Sequence, residues 1–289
     1  MDKKNKRLKL KKEHLRINLE ENVQSGLTNG LENIILEHQA LPDLDLEKID
    51  TKIEIFSKTL LAPIFISPMT GGTLDSIKIN HILAQAAQDA GIAMGVGSQR
   101  THLEFPEVVR TFEVRKYAPD ILLFANLGAV QLNYSYGVDQ CRKAVDSIGA
   151  DALILHLNPL QEALQLGGNT NFFGLLKKIE IVRKRLNVPV VIKEVGWGIS
   201  EKVAGQLADA GVAAIDVAGA GGTSWSEVEK YCMRDLHSQR VASAFREWGI
   251  STAQSIRNVR NVAPHMLVFA SGGLKTGVDI AKCIALGAS

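Results

Sequence analysis

The chain has 289 residues, 46% of them hydrophobic and 22% charged, close to the soluble globular average and incompatible with a disordered or collagen-like chain. No apolar run approaches the roughly 18 to 20 residues that cross a bilayer, and the basic start has no apolar stretch behind it, so a soluble, cytoplasmic protein is expected. The net charge of +2 hides an asymmetry, because residues 1–16 hold Lys3, Lys4, Lys6, Arg7, Lys9, Lys11, Lys12 and Arg16 against Asp2 and Glu13, leaving the body at −4. Such an arm suits nucleic acid, a phosphorylated small molecule or plain solvent, and charge alone does not choose. Cys141, Cys232 and Cys283 are odd in number and widely spaced, which points to buried thiols rather than a disulfide framework or structural zinc site.

Residues 1–60 are expected to form the basic arm and a capping segment, and residues 61–289 a barrel. From residue 64 onward seven apolar segments recur, each ending in small or polar residues: 64–72, 92–98, 121–128, 152–158, 188–196, 213–222 and 265–273. They are nearly continuous in Val, Ile, Leu, Ala and Phe rather than alternating, as expected of parallel strands covered on both faces. Helical stretches lie between them, several closing in Gly. The strand-end markers Ser67, Ser98, Asn126, Asn158, Lys193, Gly219 and Ser271 are spaced by 31, 28, 32, 35, 26 and 52 residues. A (β/α)8 TIM barrel fits this rhythm; an open doubly wound sheet lacks its G-x-G-x-x-G or G-x-x-x-x-G-K-[ST] fingerprint. Residues 223–249, inside the longest spacing, are expected to hold the sixth helix and a short extra helix over the barrel mouth. The last segment reads as the seventh helix, so a barrel truncated before its eighth strand is expected, with two open sheet edges and a tendency to aggregate.

Barrel enzymes carry their chemistry at the C-terminal ends of the strands. Those ends offer Ser67, Met69 and Thr70; Ser98, Gln99 and Arg100; Asn126; His156, Asn158, Gln161 and Glu162; Lys193 and Glu194; Gly219 to Thr223; and Ser271 to Gly273. Two late glycine turns allow backbone amides to approach a phosphate, although either alone is equally a tight turn. Lys193 is open to three readings: Schiff-base nucleophile, cation beside an anionic cofactor ring, or snorkelling structural residue, and the surrounding amides favour the second. Glu162 with neighbouring amides suits Mg²⁺, and also suits the first turn of a helix. Paired carboxylates for glycoside chemistry, a G-x-S-x-G elbow and an H-E-x-x-H pair are absent.

Taken together, PMTGG, GVGSQR, ANLGA, LHLNPLQE, VIKEVGWGIS, VAGAGGTSW and ASGGL resemble the FMN-dependent type 2 isopentenyl-diphosphate isomerases, from about Lys11 to the end. The resemblance implies interconversion of isopentenyl and dimethylallyl diphosphate with reduced FMN, Mg²⁺ and NADPH as reductant, in a tetramer or octamer, with neither nucleic acid nor membrane as partner. It implies FMN contacts at Pro68, Met69, Thr70, Ser98, Asn126, Lys193 and Thr223, with Gly272, Gly273 and Leu274 at the flavin phosphate. Substrate contacts are implied at Lys11, Ser98, Gln99, Arg100, Asn158 and Gln161, the catalytic positions at Gln161 and His156, and the Mg²⁺ ligand at Glu162. In the family an Arg-Lys pair precedes the arm's His; here Leu10-Lys11 precedes His14. The alternatives are an FMN-dependent oxidoreductase of the α-hydroxy-acid oxidase type and an inactive fragment whose arm binds a polyanion.

Overall fold

The computed structural model describes residues 3–289; Met1, Asp2 and the side chains of Lys3, Lys4 and Lys6, part of the basic arm, lie outside it. The arm is a helix, α1 (Lys3–Glu20), whose Ile17 is fully buried. A hairpin follows, β1 (Ile53–Ile55) paired antiparallel with β2 (Lys58–Leu60). Seven parallel strands then run in sequence order through one sheet: β3 (Phe65–Ile66), β4 (Ala93–Gly95), β5 (Leu123–Gly128), β6 (Ala152–His156), β7 (Val190–Lys193), β8 (Ala214–Asp216) and β9 (Leu267–Phe269). Every one of the seven expected strands is present, in the expected order. Helices α2 (Leu74–Ala90), α4 (Val138–Asp146), α6 (Leu175–Arg185), α7 (Glu201–Asp209) and α11 (Gly277–Ala285) connect or follow them, while short α3 (Arg100–Glu104) and α5 (Pro159–Leu164) rise directly from strand ends.

Both faces of the sheet are buried, and the residue period explains how. Along β6, Leu153 and Leu155 face the helices, whereas Ala152 and Ile154 face inward with Phe124, Val191, Ala214 and Phe269. Ile55 and Leu60 of the hairpin join this inner cluster, so β1 and β2 plug the bottom of the barrel. The sheet curls until its edges meet at one level: the Phe65 ring on β3 lies 5.6 Å from Phe269 on β9, and Phe124 lies 6.0 Å from both. β3 and β9 do not pair, and a cavity of about 340 Å³ lies between them. One period above the apolar layer, the inward positions become Asn126, His156, Lys193, Asp216 and Ser271. Parallel register sets them side by side, with His156 opposite Lys193 and Lys193 opposite Asp216.

The long β8–β9 connection departs from expectation. It holds three helices, α8 (Trp225–Cys232), α9 (Leu236–Ser243) and α10 (Thr252–Val262). The helix that packs against the barrel is α10, beyond residue 249, because Ala253, Ile256 and Val259 bury one face and Ser251 caps its start. Helix α8 instead lies over the mouth, where Val228 packs with Ile17 of α1.

Candidate active site

A cavity of about 550 Å³ opens above the polar layer, roofed by α1 and α8 and lined by groups from β3 through β9. Its electrostatics are one-sided. Arg7, Lys11, Arg100 and Lys193 line it, and among the described residues Glu162 is its one carboxylate.

On the floor, the neutral amide oxygen of Asn126 meets His156 Nδ1 at 2.8 Å. Because that oxygen only accepts, the imidazole proton sits on Nδ1 and Nε2 is bare. Burial, with the charges of Lys193 and Lys11, pushes the His156 pKa down to about 3, so the ring is neutral across physiological pH. Lys193 is buried, donates to the Glu194 carbonyl at 2.6 Å and lies 3.9 Å from the Asp216 carboxylate. Asp216 is fully buried; its Oδ1 accepts from Ser271 Oγ at 2.6 Å, while Oδ2 has no hydrogen-bond partner. Burial raises the Asp216 pKa against the pull of Lys193. Glu194 turns away from the cavity and its Oε2 accepts from the amides of Val195, Gly196 and Trp197 at 2.6–2.8 Å, shaping the loop above β7. Burial nevertheless raises its pKa to about 7.

Pro159 starts α5 and leaves Asn158, Gln161 and Glu162 at the rim. Asn158 Nδ2 reaches Gln161 Oε1 at 3.1 Å and Glu162 Oε1 at 3.3 Å, and its own Oδ1 is buried without a partner. An orphaned carbonyl oxygen beside a carboxylate is a hard-oxygen pair of the kind Mg²⁺ takes. Gln161 Nε2 donates in turn to Glu229 of α8 at 3.1 Å.

Helix α1 of the roof and the start of α3 supply the remaining cations. Lys11 Nζ donates to the carbonyls of Gly71 at 2.8 Å and Ser98 at 3.0 Å, and burial with the charge of Arg7 lowers its pKa to about 7. Arg7 pairs with Glu104, which also accepts from Arg100 Nε at 3.3 Å. The Asn169 side-chain oxygen, turned toward the guanidinium, accepts from Arg100 Nη1 at 2.7 Å, and the Asn169 amide donates to Glu162 Oε2 at 2.5 Å.

The two glycine turns touch through their backbones. A Cβ on Gly222 would stand 2.7 Å from the Gly273 nitrogen, and Gly272 has φ +111°, so both positions require glycine. This close approach leaves main chain, rather than side chains, facing the space beside β8 and β9.

A model of the FMN-dependent dehydrogenase family matches residues 19–116 and 167–289. Over 280 residues the chain is 54% identical to the isopentenyl-diphosphate delta-isomerase of Synechocystis, covering 96% of this chain and 80% of the relative. The corresponding proteins of Nostoc and Rickettsia canadensis are 53% and 51% identical, with 96% of this chain and 80% and 82% of theirs covered. The chain belongs to the isopentenyl-diphosphate delta-isomerase family. Its fold is shared with a mandelate oxidase mutant bearing a monooxide FMN adduct, at TM-score 0.59 and 19% identity over 96% of this chain and 82% of that one. Mandelate oxidase with (S)-2-phenylpropionate gives TM-score 0.59 and 18% identity, covering 99% and 82%.

Within this isomerase-family chain, Lys11, Pro68, Met69, Thr70, Ser98, Arg100, Asn126, His156, Asn158, Gln161, Glu162, Lys193, Thr223 and Gly272 all line the one cavity. Three expected residues do not. Gly273 and Leu274 line the neighbouring cavity between β3 and β9. Gln99, expected at the substrate, is fully buried behind β5: its Nε2 donates to the Ala144 carbonyl at 2.8 Å and its Oε1 accepts from the Asn126 amide at 3.0 Å. It braces the strand that carries Asn126. His14, named only as the arm's histidine, also lines the cavity, while Glu229, which receives Gln161, and Asp216, beside Lys193, had no signal in the sequence, since only the folding of α8 over the mouth and the inward phase of β8 bring them near.

Proposed function

We propose that the chain interconverts isopentenyl and dimethylallyl diphosphate, using reduced FMN and Mg²⁺, with NADPH as reductant and a tetrameric or octameric assembly. The observation that carries this reading is the cavity's charge: four basic side chains and, among the described residues, one carboxylate, with amides between them, suit an anionic cofactor and a diphosphate. Reduced flavin would supply the acid–base chemistry at its N5. Lys193 supplies the cation for the flavin ring, and the touching turns around Gly222 and Gly272 supply main-chain amides for its phosphate. Glu162 and Asn158 Oδ1 hold Mg²⁺, and Arg7, Lys11 and Arg100 take the diphosphate oxygens. Gln161, fixed between Asn158 and Glu229, orients the alkene end, and neutral His156 completes the floor without adding charge beside a developing carbocation. His156, with its pKa pushed down to about 3, is a poor candidate for the base that a flavin hydroxy-acid oxidoreductase would need on the cavity floor.

The test is phosphorus NMR of isopentenyl diphosphate with the chain and Mg²⁺ under anaerobic conditions, with reduced and then oxidised FMN. Dimethylallyl diphosphate is expected only with reduced flavin. Bleaching of oxidised flavin by a hydroxy acid, with no isomerisation in either state, would overturn the reading.

A further inference from the structure

Helix α8 carries Glu229 and Cys232 three residues apart, hence on one face, and α1 lays His14 against that face. The His14 nitrogen, the Glu229 carboxylate and the Cys232 sulfur all lie within 4.8 Å of one another, with His14 Nε2 3.4 Å from Glu229 Oε1. His14 Nε2 is buried and has no hydrogen-bond partner, and Trp225 holds the ring edge-on at 5.3 Å. Nearby cations are occupied elsewhere: Arg16 is held by Glu13 and Glu20, and Lys230 by Glu227. Among the described residues no lysine or arginine pairs with Glu229.

We propose that His14, Glu229 and Cys232 form a site for a borderline-soft divalent cation of the Zn²⁺ type, separate from the Mg²⁺ position at Glu162. One imidazole nitrogen, one thiolate and one carboxylate oxygen make a three-ligand set that Zn²⁺ or Co²⁺ accepts in tetrahedral geometry, leaving a fourth place for water. Mg²⁺ takes oxygen donors and does not compete for it. On binding, the Cys232 thiol gives its proton to solvent and the metal–sulfur bond replaces the S–H bond. Two consequences follow from the contacts already present. The metal ties α1 to α8, closing the roof over the cavity, and it draws Glu229 Oε1 away from Gln161 Nε2. The site is therefore inhibitory; this effect on turnover rests on the isomerase reading, whereas binding does not.

Cobalt titration of the full chain separates the two. A 1:1 complex with a near-ultraviolet thiolate-to-cobalt band is expected, unaffected by excess Mg²⁺ or by Glu162→Gln. The band disappears in Cys232→Ser, and His14→Gln weakens binding at least about tenfold, the low end for removing even an outer partner of a metal ligand. Should Cys232→Ser fold poorly, Zn²⁺ protection of Cys232 from alkylation, read by mass spectrometry on the unaltered chain, reports the same site, because Cys141 and Cys283 are buried. In the turnover assay, Cys232→Ser retains Mg²⁺-supported activity and loses Zn²⁺ inhibition. No cobalt band, a band that survives Cys232→Ser, or alkylation of Cys232 unaffected by Zn²⁺ would overturn the site. A cobalt band without isomerisation would instead sustain the site and remove the proposed function.

Discussion

Lys11 is a lysine prepared to gain a proton when its ligand arrives. Burial and Arg7 bring its pKa to about 7, so at pH 8 roughly nine-tenths of the free chain holds the neutral amine. A diphosphate beside it favours the charged form and raises the value again. Binding of dimethylallyl diphosphate should then take up about 0.9 proton at pH 8, about 0.5 at pH 7 and about 0.1 at pH 6. The ligand confuses this little at pH 8, because its last ionisation lies near 6 for a phosphate ester. Calorimetry in two buffers of different ionisation enthalpy reads the uptake directly, and Lys11→Met should abolish it at pH 8 while weakening affinity. The sign for folding runs the same way: the unfolded chain binds more protons between about 7 and 10.5, so the ligand-free protein gains stability as pH rises through that window. Binding enthalpies at pH 8 that do not depend on the buffer, or the same uptake in Lys11→Met, would refute the placement of this amine at the diphosphate.

Glu162→Gln should abolish Mg²⁺-dependent turnover and leave flavin binding intact; a fluorescence titration for FMN alongside the NMR assay separates the two, and undiminished turnover removes the metal assignment. Lys193→Ala should weaken FMN binding at least about tenfold, the scale of one charge-assisted contact in a buried site, and unchanged affinity in the same titration removes its role as the flavin's cation. Gly222→Ala places a Cβ against the Gly273 backbone and should cost about 1–3 kcal/mol of stability with a parallel loss of flavin affinity, read as a lower melting temperature and a weaker titration. The His156 ring should not titrate by NMR between roughly pH 8 and pH 5; since its unfolded value near 6.5 exceeds its folded value of about 3, the protein loses stability as pH falls below about 6.5.

The barrel was legible because its strands are covered on both faces, which makes each a short continuous apolar run that no amphipathic helix resembles. The site was legible for a related reason. Parallel strands in register present their C-terminal ends at one level, so Asn126, His156 and Lys193 had to meet once the strands were found. What stayed hidden lies where phase rather than position decides. Gln99 stands beside Ser98 and Arg100 in the chain, yet it points the other way into the space behind β5, and no local pattern marks which of three consecutive polar residues turns inward. Glu194, beside Lys193, is likewise spent on three loop amides.

The seat of helix α1 was legible only through the resemblance, because eight basic residues in sixteen suit a polyanion, a phosphorylated small molecule or solvent alike, and its attachment to the barrel rests on Ile17 and a few polar contacts rather than on an amphipathic stripe. Yet that thin attachment suits what the roof has to do. A helix held over the mouth by Lys11, the Arg7–Glu104 pair and one small apolar cluster can be lifted at modest cost, and each of the two cations that hold it down is also one that a diphosphate would claim. On the proposed reading, binding would replace the carbonyls of Gly71 and Ser98, and Glu104, by phosphate oxygens, and the anion would then link α1 to the barrel. On that reading closure and charge neutralisation would be one event, and the lowered pKa of Lys11 in the empty site eases its burial beside Arg7 until the anion arrives.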